Sequence, residues 1–493
     1  MNIPELLALN ARKFPDQDAL ITPECRLNWT CLHEQSLRLA AHLSTAYGIN
    51  PQDRVALFMP NGYAWVLGYF AVLNLGAVVV PINARLAPAE LDYILQDCGA
   101  NLVLSCAEQY RSLQPLLSDT CAGLNLDDLA ELLAELPDRH ALESIKPSSP
   151  CTLLYTSGTT GKPKGVLFNH SNLLTVANTT AVEMDVRPDS RLLHMMPLTH
   201  SAPLHVFLLG GTYVGAAHIV LPEFTPSLLL DTVERERTTH FFGAPIAYLL
   251  TAQQPDIAQR DLSSMTCWVY GGGPLSGEQV ELIRQRMGTD QLYCVYGLTE
   301  AGPSGSLMKP VEHRTKAGSI GKRGALHTEL RLIDEAGQPL SGEGTGQIQI
   351  RTAATMLGYW NQPEATAECL HTDGWLDSGD IARRDAEGYY WVLARKKELI
   401  ISGGVNIYPR EIESALEQHP AIVEVAVIGV PHAEWGETVK ACVVLREPMC
   451  DCAKALRAYL LPLLADYKIP RLFSEHSALP RNANGKVMKH QLQ

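Results

Sequence analysis

Cysteine pairs, long apolar runs and an excess of positive charge are all missing from this chain, and each absence closes off a class of function. The twelve cysteines include no Cys-x-x-Cys, and Cys450-Asp451-Cys452 is their nearest spacing. Neither a disulfide framework nor a zinc site is expected; reduced thiols in a cytoplasmic setting are. The longest apolar stretches, Ala71 to Pro81 and Val206 to Leu221, are broken by Asn74 and by glycines with His218. Both stay short of the ~18 clean apolar residues that a membrane-spanning helix needs. The opening Met1-Asn2-Ile3-Pro4-Glu5-Leu6-Leu7 has no basic segment, and the closing His490-Gln491-Leu492-Gln493 is no peroxisomal tripeptide, so neither address is expected. Lys and Arg number 40 against 53 Asp and Glu, a formal charge of −13. A general binder of nucleic acid or of membrane surfaces is thereby disfavoured, while a local basic pocket for an anion is not.

What is present is a globular composition, 46% hydrophobic and 19% charged, on 493 residues, enough for more than one core. Up to about residue 150, strand-like and helix-like segments alternate. Val55 to Met59 reads as a strand stopped by Pro60-Asn61-Gly62, Ala64 to Leu75 as an apolar helix, and Ala77 to Val80 as the next buried strand. Leu91 to Cys98 and Asn101 to Ser105 continue the β-α-β-α rhythm of a parallel, doubly wound sheet. Leu124 to Leu136 is acidic and amphipathic and is expected as a solvated helix.

The densest chemistry lies in Tyr155-Thr156-Ser157-Gly158-Thr159-Thr160-Gly161-Lys162-Pro163-Lys164-Gly165. This stretch is read as joining an apolar strand, Cys151 to Leu154, to a helix entered at His170 with Ser171 or Asn172 as cap. Glycines let backbone N–H groups close around an anion, hydroxyls donate to phosphate oxygens, and lysines add positive charge. The loop is therefore read as a polyphosphate cradle. It is not a Walker A loop, because two residues separate Gly158 from Gly161-Lys162 and no Ser or Thr follows the lysine. The whole string resembles the phosphate loop of the adenylate-forming superfamily, which includes acyl-CoA synthetases, aryl-CoA ligases, luciferases and the adenylation domains of peptide synthetases.

Further motifs resembling that family follow in its order, so the likeness runs from about residue 5 to 490. In the family a turn like Pro197-Leu198-Thr199-His200 sets its histidine at the mouth of the acyl pocket, although here Thr199 replaces the usual aromatic residue. Between Leu198 and Phe207 there is no aspartate of the kind that holds a substrate ammonium, which disfavours an amino acid. The resemblance puts Gly271, Gly272, Gly273 and Pro274 at the adenine and acyl pocket, where a Cβ would collide. Tyr296-Gly297-Leu298-Thr299-Glu300 matches the family's Tyr-Gly-x-Thr-Glu, which implies Tyr296 on adenine, Thr299 on the α-phosphate and Glu300 on Mg²⁺. By the same likeness Asp380 would accept the ribose hydroxyls, Arg395 would reach the ribose, and Lys397 would be a hinge. Gly403 and Gly404 match the loop of the pantetheine tunnel. Lys486 matches the catalytic lysine, whose charge cancels the repulsion between a carboxylate and the α-phosphate.

The resemblance implies an α/β fold. Residues 1–395 would form a large N-terminal domain of doubly wound sheets plus a distorted β-barrel, and 396–493 a small mobile α+β domain. It also implies ATP, Mg²⁺ and coenzyme A as cofactors, an acyl-adenylate made from a carboxylic acid, and a thioester as product. Neutral candidate pocket segments (His200 to Pro203, Phe241 to Ala244, Gly271 to Gly273, Val295) favour an uncharged tail. Three glycines without a bulky stopper favour a fatty acid, with an aryl acid as second choice. Loading of a carrier protein's phosphopantetheine, a catalytically silent nucleotide-binding regulator and a luciferase-like oxygenase stay open. A monomer and a homodimer fit equally.

Overall fold

The computed structural model describes residues 1–136, 144–156, 162–402, 405–449, 451–481 and 487–492. Packing divides the chain into two compact units, Met1–Leu330 with Ile350–Leu376, and Arg331–Gln349 with Asp377–Gln493. Lys397 falls inside the second, just after the strand Tyr390–Arg395.

Two large sheets build the first unit. One has eight strands in the order Ser306–Met308, Leu292–Tyr296, Cys267–Gly271, His240–Gly243, Arg191–His194, Ala217–Val220, Asp18–Ile21 and Arg26–Asn28. Its six inner strands are parallel and the two edge strands antiparallel. The other has seven, ordered Gly358–Tyr359, Lys164–Asn169, Pro150–Thr156, Val78–Ile82, Arg54–Phe58, Leu102–Ser105 and Ala122–Asn125. Its last five run parallel, as the β-α-β-α rhythm predicts. Strands covered on both faces need apolar side chains in every position, and Val78–Ile82 is buried throughout. The helix Tyr63–Asn74 is buried from Trp65 onward on all sides, so it shows no polar stripe.

Two local expectations change. The stretch from Tyr155 to Gly165 does not join a strand to a helix: Val166-Leu167-Phe168 belongs to Lys164–Asn169, which pairs antiparallel with Pro150–Thr156. The helix His170–Glu183 follows at once, capped by Asn169 and not by Ser171 or Asn172. Asn169 Oδ1 accepts from Asn172 N at 2.8 Å and Asn172 Oδ1 accepts from Asn169 N at 3.2 Å, a reciprocal box that turns strand into helix at one residue. The acidic segment from Leu124 is helical only over Leu129–Glu135. Leu124 and Asn125 instead pair with Leu104 and Ser105, because a parallel edge was open there.

The resemblance implies a distorted barrel within residues 1–395; there the strands Thr328–Ile333, Gly344–Thr352, Leu376–Arg384 and Tyr390–Arg395 pair in that order, and most of their residues belong to the second unit. A further sheet is ordered Val405–Ile407, Ile400–Ser402, Gly436–Leu445, Ile422–His432, with Leu472–Glu475 beside Gly436–Leu445. Its core joins Val427, Val439, Ala441 and Val443 to Ile412 and Leu416 of the helix Pro409–Leu416 and to Leu456 and Leu460 of Cys452–Leu460. This is the small α+β arrangement expected. All eleven described cysteines are free thiols, and no described helix is long and apolar enough to cross a membrane.

Candidate active site

Thr156 and Lys164 face each other across the antiparallel pair and form the described shoulders of the loop. Ser157, Gly158, Thr159, Thr160 and Gly161 lie outside the described residues. Lys162 Nζ is 5.3 Å from the centroid of the Tyr93 ring, and Lys164 Nζ is 4.8 Å from that of Tyr359. Each ammonium thus rests on an aromatic face. The Tyr93 hydroxyl donates to Pro163 O at 3.2 Å, the Tyr155 hydroxyl to Asp97 Oδ2 at 2.5 Å, and Trp360 Nε1 to Asp97 O at 3.1 Å. Burial, then the Asp97 hydrogen bond, pushes the Tyr155 phenol well up, so it remains a donor. Gly165 admits this packing, since a Cβ there would come within 2.9 Å of Leu153 and 3.1 Å of Tyr155.

The second motif is a tight reversal between Leu292–Tyr296 and Ser306–Met308. A Cβ on Gly297 would lie 2.0 Å from Pro303 O, and one on Gly305 2.2 Å from Tyr296 O. Only glycines let these backbones approach, and their approach sets up the 3-10 turn Thr299–Ala301. The Thr299 hydroxyl lies 3.1 Å from that of Ser201. Glu300 Oε1 accepts from the Tyr359 hydroxyl at 2.8 Å, and Glu300 O accepts from Met356 N at 2.9 Å. His200, half-buried, is one residue from Ser201, its N–H bonded to Pro197 O. The sequence pointed to His200, Thr299 and Glu300. It missed Ser201 and Tyr359, whose partners are too far along the chain for any local pattern to show.

The glycine triplet divides by cause. A Cβ on Gly271 would sit 2.8 Å from Val295 Cγ2 and 2.9 Å from Val295 O, so this glycine permits a close strand approach. Gly272 has φ +78° with open space around it, so its need is conformational. Gly273 meets only Pro245, at 3.7 Å. Gly271 and Gly272, with Val295, Tyr296 and Gly297, line a cavity of about 80 Å³. The helix His170–Glu183 also lines it, contributing Val176, Thr179, Thr180 and Glu183, with Met184 just past its end. The sequence announced this helix from His170 but not its place in the cavity wall, although Val176, Thr179, Thr180 and Glu183 at i, i+3, i+4 and i+7 share one face.

The polar groups of that wall are already engaged. Thr179 Oγ1 donates to Thr175 O and Leu326 O, Thr180 Oγ1 to Val176 O, and Ser306 Oγ to Ile320 O. Glu183 takes both guanidinium nitrogens of Arg323, at 2.8 and 2.9 Å, and Leu326 N at 3.0 Å. Burial alone would raise its carboxyl, but the hydrogen bonds and charge of Arg323 hold it below the ordinary carboxylate value. These side chains offer lone pairs to whatever enters, and no free proton.

In the second unit, Asp380 is buried opposite Arg395 in the strand register, and Arg395 Nε donates to Asp380 Oδ1 at 2.7 Å. Arg395 Nη1 also donates to Ser378 O at 3.3 Å, and Asp380 N to Ser378 Oγ at 3.0 Å. Lys397 is exposed on the 3-10 turn Lys396–Glu398. Gly403, Gly404 and Lys486 lie outside the described residues. Of the shoulders of Lys486, Arg481 pairs with Val487, and Met488 N donates to Pro480 O at 2.8 Å.

Two family profiles match the chain, AMP-binding enzyme over residues 7–360 and AMP-binding enzyme C-terminal domain over 411–486. A feruloyl-CoA synthase of Amycolatopsis sp is 36% identical over 482 residues, spanning 97% of this chain and 96% of that protein. The long-chain-fatty-acid–CoA ligase FadD13 of Mycobacterium tuberculosis is 32% identical over 495 residues, spanning 99% and 97%. Among solved structures, the anthranilate CoA ligase AuaEII in complex with anthranoyl-AMP matches with a TM-score of 0.90 at 27% identity, over 100% of this chain and 96% of that one.

Proposed function

Because the chain belongs to the AMP-binding enzyme family, we propose that its cavity receives a compact aromatic carboxylic acid with a hydrogen-bond donor on the far side of the ring. The observation that carries this is the cavity itself. At about 80 Å³ it exceeds the ~10–15 Å³ that one water requires and is far below the ~300 Å³ of a roomy ligand site, which suits one ring better than a long chain. Its wall supplies hydroxyl acceptors whose protons are already donated, so a phenolic hydroxyl fits, whereas a second carboxylate would find no donor there, the Arg323 guanidinium being taken by Glu183. The feruloyl and anthranoyl names of two relatives are in keeping.

The enzyme is an acid–thiol ligase that uses ATP, Mg²⁺ and coenzyme A. In the first half-reaction an oxygen of the substrate carboxylate attacks the α-phosphorus, the bond to the bridging oxygen of the β-phosphate breaks, and acyl-adenylate and pyrophosphate form. In the second the CoA thiolate attacks the acyl carbon and AMP leaves.

To this chemistry we assign the residues as follows. Lys162 and Lys164 with Thr156 and the loop 157–161 order the phosphates, and Thr299 bonds the α-phosphate. Tyr296 lies on adenine beside Gly271 to Pro274, and His200 stands where the acid enters. Glu300 fits Mg²⁺, being a hard carboxylate donor whose other oxygen Tyr359 already fixes. When bound, the metal neutralises charge on the phosphate oxygens. In the second unit Asp380 takes the ribose hydroxyls, with Arg395 reaching the ribose and holding one of its oxygens. Lys486 cancels charge in the adenylation transition state. Between the half-reactions, rotation about Lys397 exchanges Lys486 for Gly403 and Gly404, which admit the pantetheine arm. The free thiols support a cytoplasmic setting.

The test is thioester formation with MgATP and CoA on para-hydroxycinnamate, cinnamate, para-carboxycinnamate and dodecanoate. The highest kcat/KM is expected for the phenol and the lowest for the dicarboxylate. Dodecanoate as the best substrate would overturn the aromatic assignment.

A further inference from the structure

Tyr359 touches both charged motifs of the first unit and belongs to neither. It sits on the two-residue strand Gly358–Tyr359, antiparallel to Lys164–Asn169 and opposite Val166. Backbone bonds hold it from both sides: Leu357 N donates to Leu167 O at 2.8 Å and Trp360 N to Gly165 O at 2.7 Å. Tyr359 N donates to Thr366 Oγ1 at 2.9 Å, and Met356 N fastens the same segment to the Glu300 carbonyl at 2.9 Å. From this anchorage the phenol reaches Glu300 Oε1 at 2.8 Å, and the ring centroid lies 4.8 Å from Lys164 Nζ. No ion pair joins Lys164 to Glu300 among the described residues.

We propose that Tyr359 is a positioning residue that stands between the loop lysine and the metal-side carboxylate, keeps them from pairing with each other, and aims each at its own part of a metal–polyphosphate. Opposite charges in contact attract, so a direct Lys–Glu pair would have to be broken by the arriving nucleotide. A phenol suits both neighbours, since its hydroxyl donates to the carboxylate and its ring face receives the ammonium. The inference rests on Glu300 taking the metal, as assigned above.

Calorimetric titration of the full chain with MnATP, and with AMP in the absence of metal, compares wild type with Tyr359→Phe and Tyr359→Leu. Phenylalanine keeps the ring beneath Lys164 and removes only the hydroxyl. MnATP affinity should fall roughly 10-fold in Tyr359→Phe and further in Tyr359→Leu, within the 10- to 100-fold range of changes behind a metal ligand. AMP affinity should stay within about twofold, and the Mg²⁺ concentration for half-maximal pyrophosphate release should rise. Unchanged MnATP affinity in Tyr359→Phe overturns the proposal. A parallel loss of AMP affinity also overturns it, because that marks a merely structural side chain. If wild-type nucleotide binding ignores the metal, the assignment of Glu300 falls and takes this inference with it.

Discussion

The hydroxyls of Ser201 and Thr299 lie 3.1 Å apart, so the turn after Arg191–His194 is fastened to the 3-10 turn that begins the Thr299-Glu300 pair. Either oxygen can donate. With Thr299 assigned to the α-phosphate, Ser201 sets the direction of that hydroxyl. Ser201→Ala is expected to slow pyrophosphate release roughly 2- to 10-fold, the worth of one neutral hydrogen bond of about 0.5–1.5 kcal/mol. Single-turnover release measures it, and an unchanged rate would detach Ser201 from the chemistry.

Gly297→Ala should cost far more, and in stability first. The added Cβ would meet a backbone carbonyl oxygen at 2.0 Å, and Pro303 cannot swing aside as a flexible side chain could. A loss of roughly 3 kcal/mol or more is expected, at or beyond the usual cost of overpacking. Urea unfolding of the variant reads it. By contrast Gly273→Ala, whose Cβ would meet only Pro245 at 3.7 Å, should unfold at nearly the wild-type midpoint.

Thr179→Val removes an acceptor from the cavity while keeping its shape. If the far end of the substrate donates to this wall, kcat/KM for para-hydroxycinnamate should drop roughly 3- to 10-fold, and that for cinnamate should hold. A steady-state comparison of the two acids decides; equal losses on both would mean that the hydroxyl is read elsewhere.

Acid should weaken the fold before most carboxylates titrate. His205 is fully buried, both ring nitrogens lack partners, and burial lowers its pKa to about 3. The folded value lies below the unfolded one of 6.5, so the unfolded chain binds more protons. The contribution is therefore whole above pH 6.5 and declines by about 1.4 kcal/mol per unit of pH below it. His205→Leu should remove that slope between pH 6.5 and 5, as measured by urea unfolding across the interval. A wild-type slope retained in the variant would assign the acid sensitivity to other histidines such as His218, also lowered by burial to about 3.

Lys486→Ala separates the two half-reactions. Loss of a charge aimed at the transition state costs roughly 10²- to 10³-fold in rate, so adenylation should fall by that factor. Thioester formation from a supplied acyl-adenylate and CoA should continue, followed by chromatography of the product. Equal losses in both would contradict the proposed exchange at Lys397.

The two large sheets were legible because strands buried on both faces appear as unbroken apolar runs, and Val78–Ile82 is one. Lys164–Asn169 was not, since Asn169 ends a strand and caps a helix at once and leaves no turn residues between them. The Tyr296 to Glu300 motif could be located by resemblance, but the reason for its glycine lies in the Pro303 carbonyl, which only the folded chain brings near. The triplet Gly271 to Gly273 signalled tightness without saying against what, and the answer at Gly271 is Val295 of the neighbouring strand. Ser201 and Tyr359 earn their places through contacts with Thr299 and Glu300, and no spacing along the chain encodes those.

With the loop assigned to the phosphates, the antiparallel pairing of Thr156 with Lys164 also decides what kind of force would greet them. In strand–loop–helix nucleotide sites the aligned peptide dipoles of a helix point their positive end at the anion. The helix His170–Glu183 begins beyond the far end of the strand Lys164–Asn169, so its dipole is not aimed at the loop. Attraction then falls to lysine ammoniums, one of them on the exposed Lys162, and to short-range donors. Charges of that sort are screened over about 8–10 Å at ordinary ionic strength. Nucleotide affinity should consequently decline as salt is added, while changes to the cap at Asn169 should leave it untouched.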